Sequence, residues 1–137
     1  MPSAPRPPFD AKSAQAMVQF CEDSWNTRDA ATAAAGYTDN VRWRYRENFV
    51  EGKPAITDFL EARFKRAEGY RLKKTLGTYN GNAISARFVS EWKDGETGQW
   101  YRTFGVEYWE FAPDGRMYLQ ETSANDLKIK EEERQLR

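Results

Sequence analysis

Histidine is absent from this 137-residue chain, cysteine occurs once, and the 21 basic residues are balanced by 21 acidic ones. Each shortage removes a class of chemistry. Without histidine there is no Ser-His-Asp or Cys-His machinery, no common proton shuttle, and no ordinary zinc or non-haem iron site. Ser123 has no imidazole to activate it, which argues against a serine hydrolase. A lone Cys21 cannot form an intrachain disulfide, and this points to a reducing, cytoplasmic setting. Zero net charge gives no sustained positive field, which argues against nucleic acid or an anionic membrane as partner. No run approaches the roughly 18 apolar residues of a membrane span. "MPSAPRPPF" lacks the apolar stretch of a signal peptide. No spacing of acidic residues suggests a metal site, and no cofactor is expected.

Proline is scarce beyond the start. Four of the six prolines fall in the first eight residues, so residues 1–9 read as an extended arm. Aromatics, by contrast, make up 15% of the chain. A chain of this length makes one ordinary domain with a real core, expected here over residues 10–127.

Asp10 is a good N-cap, with Phe9 placed as a hydrophobic staple. Ala14, Met17, Val18, Cys21 and Trp25 then recur at helical spacing to about Asn26, which makes Cys21 a core residue. Asp29 can cap a short second helix, "AATAAAGY", ended by Gly36. "VRWRYR" (41–46) alternates as a strand does. "EGKPAITDFLEARFKR" is expected as a third helix, with Pro54 in its first turn and Ile56, Phe59, Leu60 and Phe64 buried.

Everything after that is strand-like. "YRLKKTLGTY" meets "AISARFVSEW" through Asn80-Gly81-Asn82, a tight-hairpin signal. "KDGETGQ" and "APDG" mark two further turns. Helices first and hairpins afterwards predict an α+β fold, with an antiparallel meander covered on one face by helices. Arg63 to Lys74 carries six basic residues and one acidic one, and reads as a solvated helix end and strand face. From Lys128 to residue 137 the chain is charged and reads as a frayed or weakly docked tail.

The stretch "WYRTFGVEYWEF" (100–111) poses the functional question. Strand alternation puts Trp100, Arg102, Phe104, Val106 and Tyr108 on one face and Tyr101, Thr103, Glu107, Trp109 and Phe111 on the other. Gly105 suggests a bend or bulge that curves the sheet around a cavity. Trp109 and Phe111 look like core, so Glu107 points inward. An inward carboxylate is costly unless paired, and Arg44, Arg46, Arg87 and Arg102 are the candidate partners. Glu107 is then a structural ion-pair member, a catalytic carboxylate, or a solvent-facing residue. As a catalytic group among Trp43, Tyr108 and Trp109 its pKa would rise towards the useful range, whereas a tight arginine partner would lower it.

In "VRWRYREN" the arginines 42, 44 and 46 share a face opposite Trp43 and Tyr45, as an outward strip. Alternatively Arg46 and Glu47 turn into a pocket mouth and hold an anionic substrate. In "TSAND", Asn125 and Asp126 either cap the C-terminal segment or present their polar ends at an opening.

The ordered words "CEDSWNTRD" (21–29), "WRYRENFVEGKPAI" (43–56), "YRLKK", "ISARFVSEW", "GQWYRTFGVEYWEF" (98–111) and "TSAND" (122–126) cover most of the chain. Together they resemble a branch of unknown function within the nuclear transport factor 2-like (SnoaL-like) superfamily. The resemblance implies a cone-shaped fold, with a curved antiparallel sheet wrapped around a long N-terminal helix and two further helices. It also implies a pocket on the concave face for a small-molecule ligand and a homodimer formed through the sheet. Relatives across the superfamily include isomerases, dehydratases, epoxide hydrolases and cyclases, alongside pure binding proteins. Tyr45, Val106 and Tyr108 stand where the branch often has Asn, and Glu121 where Arg is usual, which implies a less polar pocket here.

The reading is a small-molecule pocket protein, either a cofactor-independent acid/base enzyme (isomerase, dehydratase or hydratase type) or a non-catalytic binding or dimerisation module. In the enzyme reading Glu107 is the base and Arg46 or Arg102 polarises or anchors the substrate. Trp43, Tyr45, Glu47, Tyr108, Trp109 and Asn125 line the substrate site, with Tyr45 or Tyr108 donating a hydrogen bond.

Overall fold

The computed structural model describes residues 4–137. Three helices, α1 (Ala11–Asn26), α2 (Ala30–Ala34) and α3 (Lys53–Arg66), cover one face of a six-stranded sheet. Its strands are β1 (Tyr37–Tyr45), β2 (Asn48–Glu51), β3 (Ala67–Asn80), β4 (Ala83–Asp94), β5 (Trp100–Phe111) and β6 (Met117–Ile129), in the order β2-β1-β6-β5-β4-β3. The architecture is the expected α+β cone. Strands β3 to β6 form the antiparallel meander, but β1 joins β6 in parallel, so the sheet is mixed. Residues 48–51, of which the sequence pattern assigns only Glu51, to the start of the third helix, form β2 on the sheet edge against β1.

Local chemistry accounts for the element ends. Asp10 accepts from the Ser13 amide and Ser13 from the Asp10 amide, a reciprocal capping box that starts α1. Asp29 caps α2 through the Thr32 amide. Helix α3 has Pro at its start, where a missing N–H costs nothing, and Arg63, Lys65 and Arg66 in its last turn. The expected turn glycines Gly81 and Gly115 take positive φ.

Side chains from α1 pin it to the edge strand β3. The Asn26 amide donates to the Leu72 carbonyl and accepts from the Leu72 N–H, while Glu22 accepts from the Lys74 N–H at 2.7 Å. These bonds occupy ladder groups that an exposed edge would offer to another chain.

The main core lies between the helices and the concave face, around Met17, Val18, Ile56, Leu60, Ile84 and Trp109. A second cluster, Tyr70, Leu72, Phe88 and Trp92, continues it towards the opposite end. Gly105 does not carry the expected bulge: β4 and β5 stay in register through the Phe88–Gly105 pair, and the irregularity falls at Glu110/Phe111. What Gly105 provides is room, since a Cβ there would come within 2.1 Å of the Phe88 ring.

Of the two expectations for the C-terminal residues, frayed or weakly docked, the structure shows docking. Strand β6 runs to Ile129, and the N–H groups of Gln135 and Leu136 donate to the Glu91 carboxylate. Arg134 lies over the Trp100 ring. At the other terminus Phe9 is buried edge-on against Phe111 and donates its N–H to the Gly81 carbonyl.

Candidate functional site

Alternation along β5 sends Glu107 and Trp109 to the concave face, as expected, and Glu107 is 7% exposed. Its cation is none of the four arginines considered. Lys74 from β3 donates from Nζ to Glu107 Oε2 at 2.7 Å, with both side chains almost wholly buried. Trp109 Nε1 donates to the same oxygen at 3.0 Å. The other oxygen, Oε1, accepts from Gln120 and Thr122 of β6 at 3.3 Å each. Behind these, Trp43 Nε1 donates to Thr122 Oγ1, and the Tyr37 hydroxyl donates to Gln120 Oε1. Four strands, β1, β3, β5 and β6, therefore converge on one carboxylate.

Lys74 is held differently. Its ammonium has three donors, and among the described residues its one hydrogen-bond acceptor is Glu107. The rings of Phe88, Trp109 and Trp25 surround it at 5.1, 5.3 and 5.7 Å from Nζ, so the charge rests in an aromatic cage. Lys74 borders a cavity between α1 and the sheet whose other walls include Met17, Phe20, Cys21, Trp25 and Gln120. That cavity has about 20 Å³ of room, enough for about one water. Burial pushes the Cys21 thiol up to about 12, despite the pull of Lys74, although the residue as a whole is only half-buried. The thiol is therefore no nucleophile. Burial likewise raises the Tyr37 hydroxyl well above its usual value, with the Glu107 charge adding to it.

The other residues expected at a site divide by sheet face. Trp43 and Trp109 are buried beside Glu107 and reach it through Thr122 or directly. Tyr45 is on the concave side, wedged between Trp43 and Phe59 at the far end from the cavity. Arg46 follows β1 with positive φ and donates to Asp126, which also accepts from Thr103. This is a polar network separate from Glu107. Arg102 lies on the convex face, paired with Glu91 at 2.9 Å. Tyr108 is there too, donating to Glu110, and that hydrogen bond raises its hydroxyl to about 12. Asn125 lies opposite Phe104 on that face, and Glu47 is an exposed turn residue. The expected cluster of Arg46, Glu47, Arg102, Tyr108 and Asn125 around Glu107 is therefore not what the fold assembles. Val106, Tyr108 and Glu121 also face outwards, so of the four departures from the branch pattern only Tyr45 concerns the interior.

Lys74 was missed because adjacent lysines in "RLKKT" read as solvated. A signal was present: Tyr70, Leu72 and Lys74 share strand parity, and Tyr70 and Leu72 are core. Among the described residues no three His, Cys, Asp or Glu side chains come together as a metal site.

The chain belongs to the family described as "Protein of unknown function (DUF1348)", whose profile matches residues 7–137. No curated protein matches the sequence. Several solved structures share the fold. SalBIII, an epoxide hydrolase/cyclase-like enzyme of pyran ring formation in salinomycin, superposes with a TM-score of 0.74 at 12% identity, over 85% of this chain and 93% of that one. A candidate isomerase from Bacillus subtilis gives 0.71 at 18% identity, over 85% and 90%. An NTF2-like protein of unknown function from Exiguobacterium gives 0.65 at 13%, over 80% and 95%. The fold is thus NTF2-like, and no helix among the described residues is long and apolar enough to cross a membrane.

Proposed function

We propose that this protein binds a small, largely apolar molecule between α1 and the concave sheet face, and reads one neutral oxygen of it with Lys74. The observation that carries this is the buried ammonium beside a cavity, with one acceptor for three donors. A carbonyl or hydroxyl oxygen suits it better than a carboxylate. Glu107 already balances the lysine charge, so a second anion would leave a net negative charge in a dry site. Trp25, Trp109, Met17 and Phe20 offer apolar walls, and methionine adapts its shape to what it contacts. SalBIII and the candidate isomerase, with the same fold, make a small-molecule role a reasonable expectation.

A suitable probe is 2-tetralone, a bicyclic ketone, compared with tetralin, which lacks the oxygen. The parent protein should favour the ketone by about 1.5–3 kcal/mol, the contribution of a hydrogen bond from a charged donor. The double variant Lys74→Met/Glu107→Gln removes both charges together and should bind the two equally. Equal binding by the parent would overturn the reading.

A proton-transfer activity is the second reading, supported by the unequal oxygens of Glu107. Oε2 is held at 2.7 and 3.0 Å, whereas Oε1 has two bonds of 3.3 Å and is the freer to act as base. Lys74 would polarise a ketone oxygen while Oε1 takes a proton from the adjacent carbon, which requires Gln120 to turn aside. Deuterium wash-in next to the carbonyl of 2-tetralone would then run faster with the parent than with buffer or the double variant. Wash-in at the buffer rate, with ketone binding intact, leaves a binding protein.

The convex face supports a homodimer as the working assembly. Phe104, Val106 and Leu127 remain 47%, 57% and 49% exposed there, an apolar patch that a second copy would cover. Val106→Glu should make the protein monomeric in sedimentation; an unchanged mass would remove this assembly.

A further inference from the structure

We infer that the ligand's body sits outside the inner cavity, in a hollow beneath the N-terminal arm, and that Phe20 is the gate between the two. This rests on the binding reading above and adds its route and its outer subsite. The inner cavity alone, at about 20 Å³, cannot take a molecule larger than about one water. Directly beyond it lies an open hollow of about 770 Å³, walled by Ala4, Arg6, Ala31, Thr32, Ala35 and Arg116. The two spaces share Phe20, Gly36 and Gly115, so one aromatic ring and two residues without side chains divide them. The Phe20 ring reaches to 4.0 Å from where a Gly36 Cβ would stand. It is only partly buried, and rotation about χ1 would swing it from the partition.

The roof of the hollow is built in as well. Gly115 has φ of +88°, and a Cβ there would stand 2.4 Å from the Pro5 carbonyl, so only glycine lets the arm lie so close. The opposite end of the cone is closed. Trp43, Tyr45 and Phe59 interlock there with ring centroids 5.3–5.9 Å apart. The Arg63 guanidinium spans Tyr45 and Trp92, at 5.8 and 4.5 Å from their centroids. A route through that end must break a packed aromatic cluster, whereas a route past Phe20 moves one side chain. The ligand class is therefore an elongated apolar ketone or alcohol, with its oxygen at the inner tip on Lys74. The alanine and threonine walls of α2 receive the rest.

The test is the association rate of 2-tetralone, read by stopped-flow quenching of tryptophan, since Trp25 and Trp109 line the cavity. Phe20→Ala should speed association and dissociation by about tenfold, equivalent to lowering a barrier by about 1.4 kcal/mol, with the preference over tetralin kept. Ala31→Trp, on the exposed face of α2, fills the hollow without touching the core and should weaken binding at least several-fold. Arg63→Ala should leave the rate unchanged. The inference is overturned if Arg63→Ala alone speeds association, or if both Phe20→Ala and Ala31→Trp leave binding and rates unaltered while the Lys74-dependent preference persists. If the parent binds neither compound, the binding reading and this inference fall together.

Discussion

Two carboxylates are buried on opposite faces of the same sheet, and their surroundings differ in kind. Glu91, on the convex face, is wholly enclosed and takes a guanidinium fork from Arg102. Its remaining acceptor capacity goes to the backbone N–H groups of Gln135 and Leu136, and Arg102 also donates to the Glu133 carbonyl. Glu107, on the concave face, takes a lysine and three neutral side-chain donors, and its lysine keeps donors to spare beside a cavity. Arginine bound to both a carboxylate and main chain is a fastening for the C-terminal segment. Lysine among movable side chains is an unsaturated arrangement that a ligand can complete. Burial of an acid is common to both; a cation whose spare donors face an interior cavity belongs to the concave pair.

Breaking the pairs one member at a time should show the contrast. The largest effect is expected from Glu107→Gln, which strands the Lys74 ammonium and should cost about 3–5 kcal/mol in urea unfolding. A smaller loss would mean that the cage or a water already solvates the lysine. Next, removing residues from Glu131 onwards takes two N–H donors from Glu91 and should cost about 3 kcal/mol, with 2-tetralone binding retained. Loss of ligand binding in that truncation would show that the two pairs are coupled through the sheet.

The double variant Lys74→Met/Glu107→Gln sharpens the comparison further. Removing both charges should be close to neutral, within about 1 kcal/mol of the parent or more stable, while ketone preference disappears. A large loss would make the concave pair a fastening as well.

The smallest effect concerns acid. Arg66 and loop amides hold the Asp94 carboxyl at about 2, against an ordinary 3.8, under a turn at the molecule's periphery. Its folded value lies below its unfolded one, so its contribution is whole above about pH 4 and fades as pH falls from there through about 2. Asp94→Asn should remove that part of the acid limb and leave both buried pairs intact.

The fold was legible because its signals are local. Asp10 and Asp29 cap helices, Pro54 starts one, and Asn80-Gly81 and Asp114-Gly115 turn strands, each within a few residues. The inward direction of Glu107 was legible for the same reason, through parity with Trp109 and Phe111. The same parity set Arg102 on the opposite face, so its place with Glu91 was readable as well. The partner of Glu107 was not legible by charge alone. Lys74 is 33 residues away in the chain, and the meeting depends on β3 and β5 flanking β4. Short β2 escaped notice because four residues with one half-buried side chain give almost no periodic pattern.

The parallel pairing of the first long strand with the last has a consequence for biosynthesis. Trp43 waits 79 residues for its hydrogen-bond partner Thr122. While the ribosome is still making β6, β1 and β2 have no sheet to join, and the acid in β5 lacks half its donors. The nascent chain therefore exposes its aromatic interior until the final strand emerges, and its slowest step should be this terminal closure.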